Sequence, residues 1–125
     1  MSCFFCNLDP SRIVDSNDQC IVVRDGFPIS QGHTLVIPKR HVNSFFHLST
    51  EERRDIMALL DSAKRKLDAE YHPDSYNLGI NDGPAAGQTV PHVHVHLIPR
   101  YEGDRGDPRG GVRWIMPEKA KYWTD

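Results

Sequence analysis

Residues 91–100 read P-H-V-H-V-H-L-I-P-R, so that His92, His94 and His96 alternate with Val93, Val95 and Leu97. A β-strand sends successive side chains to opposite faces, and this spacing predicts a strand with three imidazoles on one face and three aliphatic groups on the other. The aliphatic face suits packing and the imidazole face suits chemistry. Imidazole is the side chain whose ordinary pKa, about 6.5, lets it act near neutrality as nucleophile, acid, base or metal ligand. The chain holds 7 histidines, of which His47 and His72 flank a predicted helix and read as ordinary polar residues.

Outward from that strand, residues 81–89 (N-D-G-P-A-A-G-Q-T) form a turn-rich loop fed by a predicted strand over 75–80. Residues 19–24 (Q-C-I-V-V-R) and 34–37, the latter closed by Pro38, are apolar runs separated by the turn residues Asp25-Gly26-Phe27-Pro28 and predict an antiparallel pair. Ser49-Thr50-Glu51-Glu52 fits a capping box, with Ser49 and Glu52 each satisfying the other's amide. Ile56, Leu59, Leu60, Ala63, Leu67 and Tyr71 then recur at three- and four-residue spacing, a helical stripe about five turns long that His72-Pro73 ends. Strands outnumber helices and connections are short, which predicts a mostly antiparallel sheet with a helix on one side.

With 125 residues, 38% hydrophobic and 26% charged, the chain fits one domain, 1–125, that buries roughly two thirds of its unfolded surface. Beyond Pro99 the composition turns to Gly, Asp, Arg and Pro, giving an extended tail at about 101–125 with Trp114 and Trp123 as anchors. A net charge of -2 argues against a basic nucleic-acid-binding surface, and Lys64-Arg65-Lys66 reads as a solvated helix face. No stretch is long enough to span a bilayer. Residues 1–6 (M-S-C-F-F-C) lack the basic start of an export signal, and three cysteines, two of them spaced C-x-x-C, fit a reducing compartment. The expectation is a cytoplasmic protein.

Alternate strand histidines can share one zinc, but His92 and His96 lie about 13 Å apart along an extended strand, so one ion does not take all three. The three therefore divide between jobs. A separate zinc donor set is at hand in Cys3, Cys6, His41 from the P-K-R-H segment and one triad histidine, enough for a closed tetrahedral site. The alternative for Cys3 and Cys6 is packing as small apolar groups, and Cys20 on its strand reads as core. The remaining histidines can act on a phosphate. Attack on phosphorus needs a bare ring nitrogen, which follows if the other nitrogen gives its proton to a fixed carbonyl. His94 is best placed, with a histidine on either side to donate to the leaving oxygen. The amides of Gly87-Gln88-Thr89 and the Gln88 carboxamide can neutralise phosphate oxygens. Phosphoryl chemistry asks mainly for positioning and electrostatics, so no catalytic cofactor is required.

The run His92-Val93-His94-Val95-His96-Leu97-Ile98 resembles the H-φ-H-φ-H-φ-φ motif of the histidine triad (HIT) superfamily. Residues 32–41 (G-H-T-L-V-I-P-K-R-H) resemble the family's upstream strand, and Asn81-Asp82-Gly83-Pro84 through Gln88-Thr89 resemble the loop of its dinucleoside polyphosphate hydrolase branch. The resemblance implies an α+β, HIT-like fold: an antiparallel sheet of about five strands with one main helix and a short second helix, paired as a homodimer across the main helix and a strand. It implies His94 as the nucleophile that takes the nucleotidyl group, with the His92 carbonyl holding its other nitrogen. His96 would meet the scissile oxygen or the phosphate, Gln88 and Thr89 the phosphate oxygens, and His33 would complete the histidine constellation. Asp25 falls where the family grips the ribose and Asn81 near the phosphates, a turn role being the alternative for each. Zinc-containing relatives imply Cys3, Cys6, His41 and His92 as structural ligands. Residues 106–114 depart from the better-known branches, and Arg109 and Arg113 read either as polyphosphate contacts or as carboxylate partners.

The implied activity is a nucleotide hydrolase or transferase cleaving an α-phosphate bond of dinucleoside polyphosphates or nucleoside phosphoramidates, with an adenine nucleotide as partner. Two other classes compete: a catalytically weak nucleotide-binding regulatory module, and a hydrolase with catalytic zinc at the triad itself.

Overall fold

The computed structural model describes residues 3–125; Met1 and Ser2, which open the N-terminal stretch read above, lie outside the described residues. Helix α1, Thr50–Tyr71, starts at the capping box: the Ser49 hydroxyl accepts from the Glu52 amide at 3.0 Å, and the Glu52 carboxylate accepts from the Ser49 amide at 2.8 Å. Glu52 is only 2% exposed, and a carboxylate that dry needs donors. Arg40 gives two, at 2.8 and 3.0 Å, and these hold the Glu52 carboxyl down at about 2 against the opposing effect of burial. The helix ends as His72 turns left-handed (φ 53°) before Pro73. Its buried stripe is Ile56, Leu59, Leu60, Ala63 and Leu67, each large aliphatic contributing about 1.5–3 kcal/mol by leaving water.

That stripe lies on a five-stranded sheet of β1 (Ile13–Ser16), β2 (Cys20–Arg24), β3 (Thr34–Pro38), β4 (Ser75–Gly79) and β5 (Val95–Arg100). The strand order is β1-β2-β3-β5-β4 and every pairing is antiparallel. Strand β5 enters last yet sits between β3 and β4, where His96 faces Leu35 on one side and Gly79 on the other. Backbone pairing on both flanks makes this a rigid mount. Val22, Val36, Val93, Val95 and Leu97 join the helix stripe in the larger core. On the opposite face Ile21, Val23, Leu35 and Ile37 form a smaller core covered by Phe5, with Cys3, Leu8 and Val90 at its margin.

Strand β1 is absent from the sequence reading. Its four residues are largely exposed and its pairing with β2 shifts register between Ile13 and Asp15, so it carries no apolar alternation to read. The histidine strand is also shorter than its spacing predicts, because β5 begins at Val95. The cause is Pro38: lacking an amide proton, it cannot carry the β3 ladder on toward residues 93 and 94. The alternation survives this, since the Val93 amide is held by the Val42 carbonyl at 2.8 Å and Val93, Val95 and Leu97 all point into the helix-side core. The tail at 101–125 departs from a plainly extended course. It winds a 3-10 turn over Gly111–Ile115 and a short helix α2, Pro117–Ala120. Trp114 Nε1 donates to the Arg109 carbonyl at 2.8 Å, and the Arg109 guanidinium lies 4.6 Å from the centre of the Trp123 ring.

Gly32 sets up the entry to β3 with φ 89°, and a Cβ there would stand 2.9 Å from Leu67 and 3.0 Å from Tyr71. Gly32→Ala therefore adds left-handed strain to a clash with the helix core, and it should cost about 2–4 kcal/mol. Urea unfolding of the variant against the parental chain measures this; equal midpoints would contradict the packing described.

Candidate active site

Three backbone groups and one neighbouring ring decide which nitrogen of each imidazole carries its proton. His94 Nδ1 lies 2.9 Å from the His92 carbonyl. A carbonyl only accepts, so Nδ1 holds the proton and Nε2 is left with a bare lone pair. His92 Nε2 lies 2.7 Å from the Pro38 carbonyl, which by the same logic leaves Nδ1 bare. The Ile29 amide donates to His33 Nδ1 at 3.2 Å, so the His33 proton sits on Nε2, 2.9 Å from His96 Nδ1. His96 thus accepts at Nδ1 and, when neutral, keeps its proton at Nε2. One face of the sheet therefore presents an imidazole with a bare Nε2, His94, beside an imidazole with a protonated Nε2, His96, their ring centres 5.1 Å apart.

Burial favours the neutral form of His33, His92 and His96. Burial lowers the His33 pKa and outweighs the Asp25 carboxylate 3.4 Å away, so that close approach is not an ion pair. His96 is pushed down to about 4, first by burial and then by the neighbouring His94 and His33, with Asp25 acting the other way. His92 is lowered by burial as well, against its bond to Pro38.

These groups open into a groove of about 1790 Å³ lined by Asp25, His33, Asn81, Thr89, His94 and His96. Phe27, Ile29, Leu35 and Ile98 give it an apolar wall, and Val112 and Ile115 bring the tail to its rim. The site residues expected from sequence converge there with one difference. Gln88 faces the loop: its Oε1 accepts from the Gly83 amide at 2.7 Å, and its Nε2 donates to the Asn43 and Val90 carbonyls at 2.9 and 3.1 Å. The Gly87 and Gln88 amides likewise donate inside the loop, to Pro84 and Gly83, because a 3-10 turn at Pro84–Ala86 draws them inward. Asp25 also accepts from the Phe27 amide at 2.7 Å, so the turn role and the place in the groove coexist. Arg109 and Arg113 take the carboxylate and backbone option: Arg109 pairs with Asp107 and Asp125, and Arg113 donates to the Lys119 and Ala120 carbonyls.

Beside the groove, Cys3, Cys6, His41 and His92 bring their ligand atoms within 4.8 Å of one another. The thiols stand 3.6 and 3.5 Å from His92 Nδ1, and Cys6 stands 3.3 Å from His41 Nδ1. Legs of about 2.3 Å to sulfur and 2.0–2.1 Å to nitrogen in a tetrahedron put sulfur and nitrogen about 3.6 Å apart, so the spacing fits zinc. His92 also has its other nitrogen on a backbone carbonyl, as an oriented ligand does. The Cys6 thiol is raised by desolvation and then by Cys3 beside it, and a metal must displace that proton to bind. Cys20 takes no part: burial pushes its thiol up to about 12.

Two residues that the sequence reading does not single out belong to the site. Asp82 accepts from the Ser44 hydroxyl and the Phe45 amide at 2.8–3.1 Å and so fastens the loop; the turn composition of 81–84 conceals this. Phe5 meets the His94 ring edge-on, and its place between two cysteines was the available signal.

The geometry agrees with known proteins. Residues 8–103 match the HIT domain, and the chain belongs to the HIT family. It is 36% identical to an uncharacterized HIT-like protein of Mycoplasma genitalium, over 84% of this chain and 77% of that one. It is also 36% identical to the bifunctional bis(5'-adenosyl)-triphosphatase/adenylylsulfatase of Arabidopsis thaliana, over 78% of this chain and 54% of that one. The crystal structure of a Zn-bound histidine triad family protein from Mycobacterium smegmatis superposes with a TM-score of 0.76 at 34% identity, covering 85% of this chain and 80% of that one. No helix among the described residues is long and apolar enough to cross a membrane.

Depressed histidine pKa values link the site to acid stability. The unfolded chain takes up protons near pH 6.5 that the folded chain refuses until about 4 at His96, so stability is complete above that window and falls as pH drops through it. The His96 contribution is on the order of 3 kcal/mol at most. His96→Asn should flatten the decline of unfolding free energy between pH 6.5 and 4, measured by denaturant titration at each pH; an unchanged slope would show that His96 titrates normally.

Proposed function

We propose that this protein is a nucleotide hydrolase or transferase that cleaves the α-phosphate bond of dinucleoside polyphosphates or nucleoside phosphoramidates through a nucleotidyl-histidine intermediate. The observation that carries this reading is the 2.9 Å bond from His94 Nδ1 to the His92 carbonyl, which leaves Nε2 bare toward the groove. His94 Nε2 attacks the α-phosphorus, a P–N bond forms and the bond to the leaving oxygen or nitrogen breaks. With the anionic phosphate bound, His96 takes the imidazolium form, and its Nε2–H passes to the leaving group and leaves a neutral ring. The P–N bond leaves a cationic ring on His94, which the His92 carbonyl stabilises. Water then attacks the same phosphorus, the now neutral His96 takes the water's proton, and the electron pair of the P–N bond returns to His94. Asp25 and the apolar wall take the nucleoside, an adenine nucleotide in this reading, while Asn81 and Thr89 face the phosphates. Gln88 acts through the loop it clasps, and reaches a phosphate only by giving up one of those bonds.

Cys3, Cys6, His41 and His92 would hold a structural zinc, whose chemistry is to pin the N-terminal segment to the histidine segment. Catalysis in this scheme uses His94 and His96, so no cofactor acts at phosphorus. A homodimer would pair across α1 and a strand, and β4 is an edge strand on which Leu78 is half exposed.

Brief mixing with diadenosine polyphosphates and adenosine phosphoramidate, followed by intact-mass and peptide mapping, should show a one-nucleotide adduct on His94. His94→Ala should lose at least about 1000-fold in turnover while retaining AMP binding by calorimetry, since the nucleophile alone is removed. Turnover by His94→Ala at the parental rate would sink the mechanism, and AMP binding with no hydrolysis across a nucleotide panel by the parental chain would favour the regulatory module.

Chelation separates structural from catalytic zinc. EDTA is expected to lower the melting temperature, with any fall in kcat partial and in step with it, because the ion holds the structure around the histidines and takes no part at phosphorus. Immediate arrest of turnover at unchanged thermal stability would instead place a metal at the triad.

A further inference from the structure

Phe5 is nearly buried in the smaller core with Ile21, Val23, Leu35 and Ile37, and yet it borders the groove. Its ring meets His94 at a centroid distance of 4.9 Å and an interplanar angle of 64°, and meets His92 at 6.0 Å and 88°. The positive edge of one ring against the face of another is the favoured aromatic arrangement, and it resists tilting of either plane. A single hydrogen bond at Nδ1 fixes where that atom points but leaves the ring free to rock about it. Phe5 supplies a second contact and the His96 ring, 5.1 Å away, a third.

The backbone that carries Phe5 is itself tied to the metal cluster. Phe5 lies between Cys3 and Cys6 in a turn closed by the Cys6 and Asn7 amides on the Cys3 carbonyl, both at 3.1 Å, and by Asn7 Nδ2 on the same carbonyl at 2.9 Å. Both thiols face His92 Nδ1, and the His92 carbonyl holds His94. The cluster thus reaches His94 by two routes, one through His92 and one through Phe5.

We propose that Phe5 is a positioning residue for His94, held by the Cys3–Cys6 turn, so that zinc loading of the cluster sets the aim of the nucleophile as well as the stability of the chain. This inference rests on the reading of His94 as nucleophile for its kinetic part only. A nucleophile mis-set by a fraction of an ångström loses the near-attack geometry, and such errors cost up to about 100-fold.

The test uses the zinc-loaded full chain, with zinc per chain measured for every variant. Phe5→Leu and Phe5→Ala should lower kcat about 10- to 100-fold with KM within about twofold, and Phe5→Tyr, which keeps the ring, should remain within about threefold of the parental kcat. Nitrogen NMR of 15N-histidine-labelled protein at fixed pH reads the ring without catalysis. His94 should show a single Nδ1–H tautomer in the parental chain, and tautomer averaging in Phe5→Ala and after chelation. A kcat for Phe5→Leu within twofold of parental at equal zinc content would overturn the proposal, as would a His94 spectrum insensitive both to Phe5→Ala and to chelation. Should the parental chain form no nucleotidyl-His94 adduct, the chemical reading fails by itself and the spectra alone decide the role of Phe5.

Discussion

The hydrogen bond between His94 Nδ1 and the carbonyl of His92, two residues back along the same segment, is the constraint from which the rest of the site follows. A backbone carbonyl cannot donate, so it assigns a tautomer with no titratable partner whose state could change. For that carbonyl to be held in place, residue 92 has to be anchored independently, and its side chain is: Nε2 on the Pro38 carbonyl, Nδ1 toward the two thiols. Pro38 enters twice. Its missing amide proton ends the β3 ladder short of residue 94, and its carbonyl receives His92. The same proline that truncates the strand makes room for the histidines to do something other than pair.

Burying several imidazoles beside one another costs free energy, and the architecture shows where it is offset. The helix-side core supplies the apolar burial, from Ile56 through Leu67 against Val22, Val36, Val95 and Leu97. The opposite face can then carry His33, His92 and His96 in neutral form, each bonded to backbone or to a second ring. The buried Glu52 is a similar case at the head of α1, where Arg40 and the Ser49 amide satisfy a carboxylate that is almost dry. Arg40 and the proposed ligand His41 are sequence neighbours, so the segment leaving β3 serves the helix cap with one residue and the thiol cluster with the next.

Much of this was legible in the chain, and the reasons differ by element. Helix α1 is readable because the capping box and the stripe are local patterns, confined to a single run of sequence. The split of the triad is readable from distance alone, since His92 and His96 are too far apart to share one ion. The orientation of Gln88 was not readable. Whether a carboxamide turns to a ligand or clasps its own loop depends on carbonyls at Asn43 and Val90, and nothing in G-Q-T reveals where those lie. Strand β1 escaped for a related reason: an exposed four-residue edge with a register shift owes its existence to its partner strand. Arg109 and Arg113 were open between two uses because charge alone does not name a partner, and the tail folds so that Asp107, Asp125 and backbone carbonyls reach them first.

In the proposed mechanism, the division of labour between His94 and His96 depends on a field that changes when a phosphate arrives. In the free site, burial and two neighbouring rings hold His96 down to about 4. It is then a neutral donor through Nε2–H, which is the state that tolerates low dielectric and does not repel a second imidazole 5.1 Å away. A phosphate brings negative charge to the same spot, and an anion nearby favours the protonated form of a histidine, opposing the desolvation that lowered it. Asp25 already acts in that direction, more weakly than burial. Burial thus favours the neutral form of His96 in the free site, and in the proposed mechanism its hold on a proton strengthens only when there is a phosphate to use it. His94 needs its lone pair on a particular nitrogen, and a carbonyl acceptor fixed by the backbone places it at Nε2.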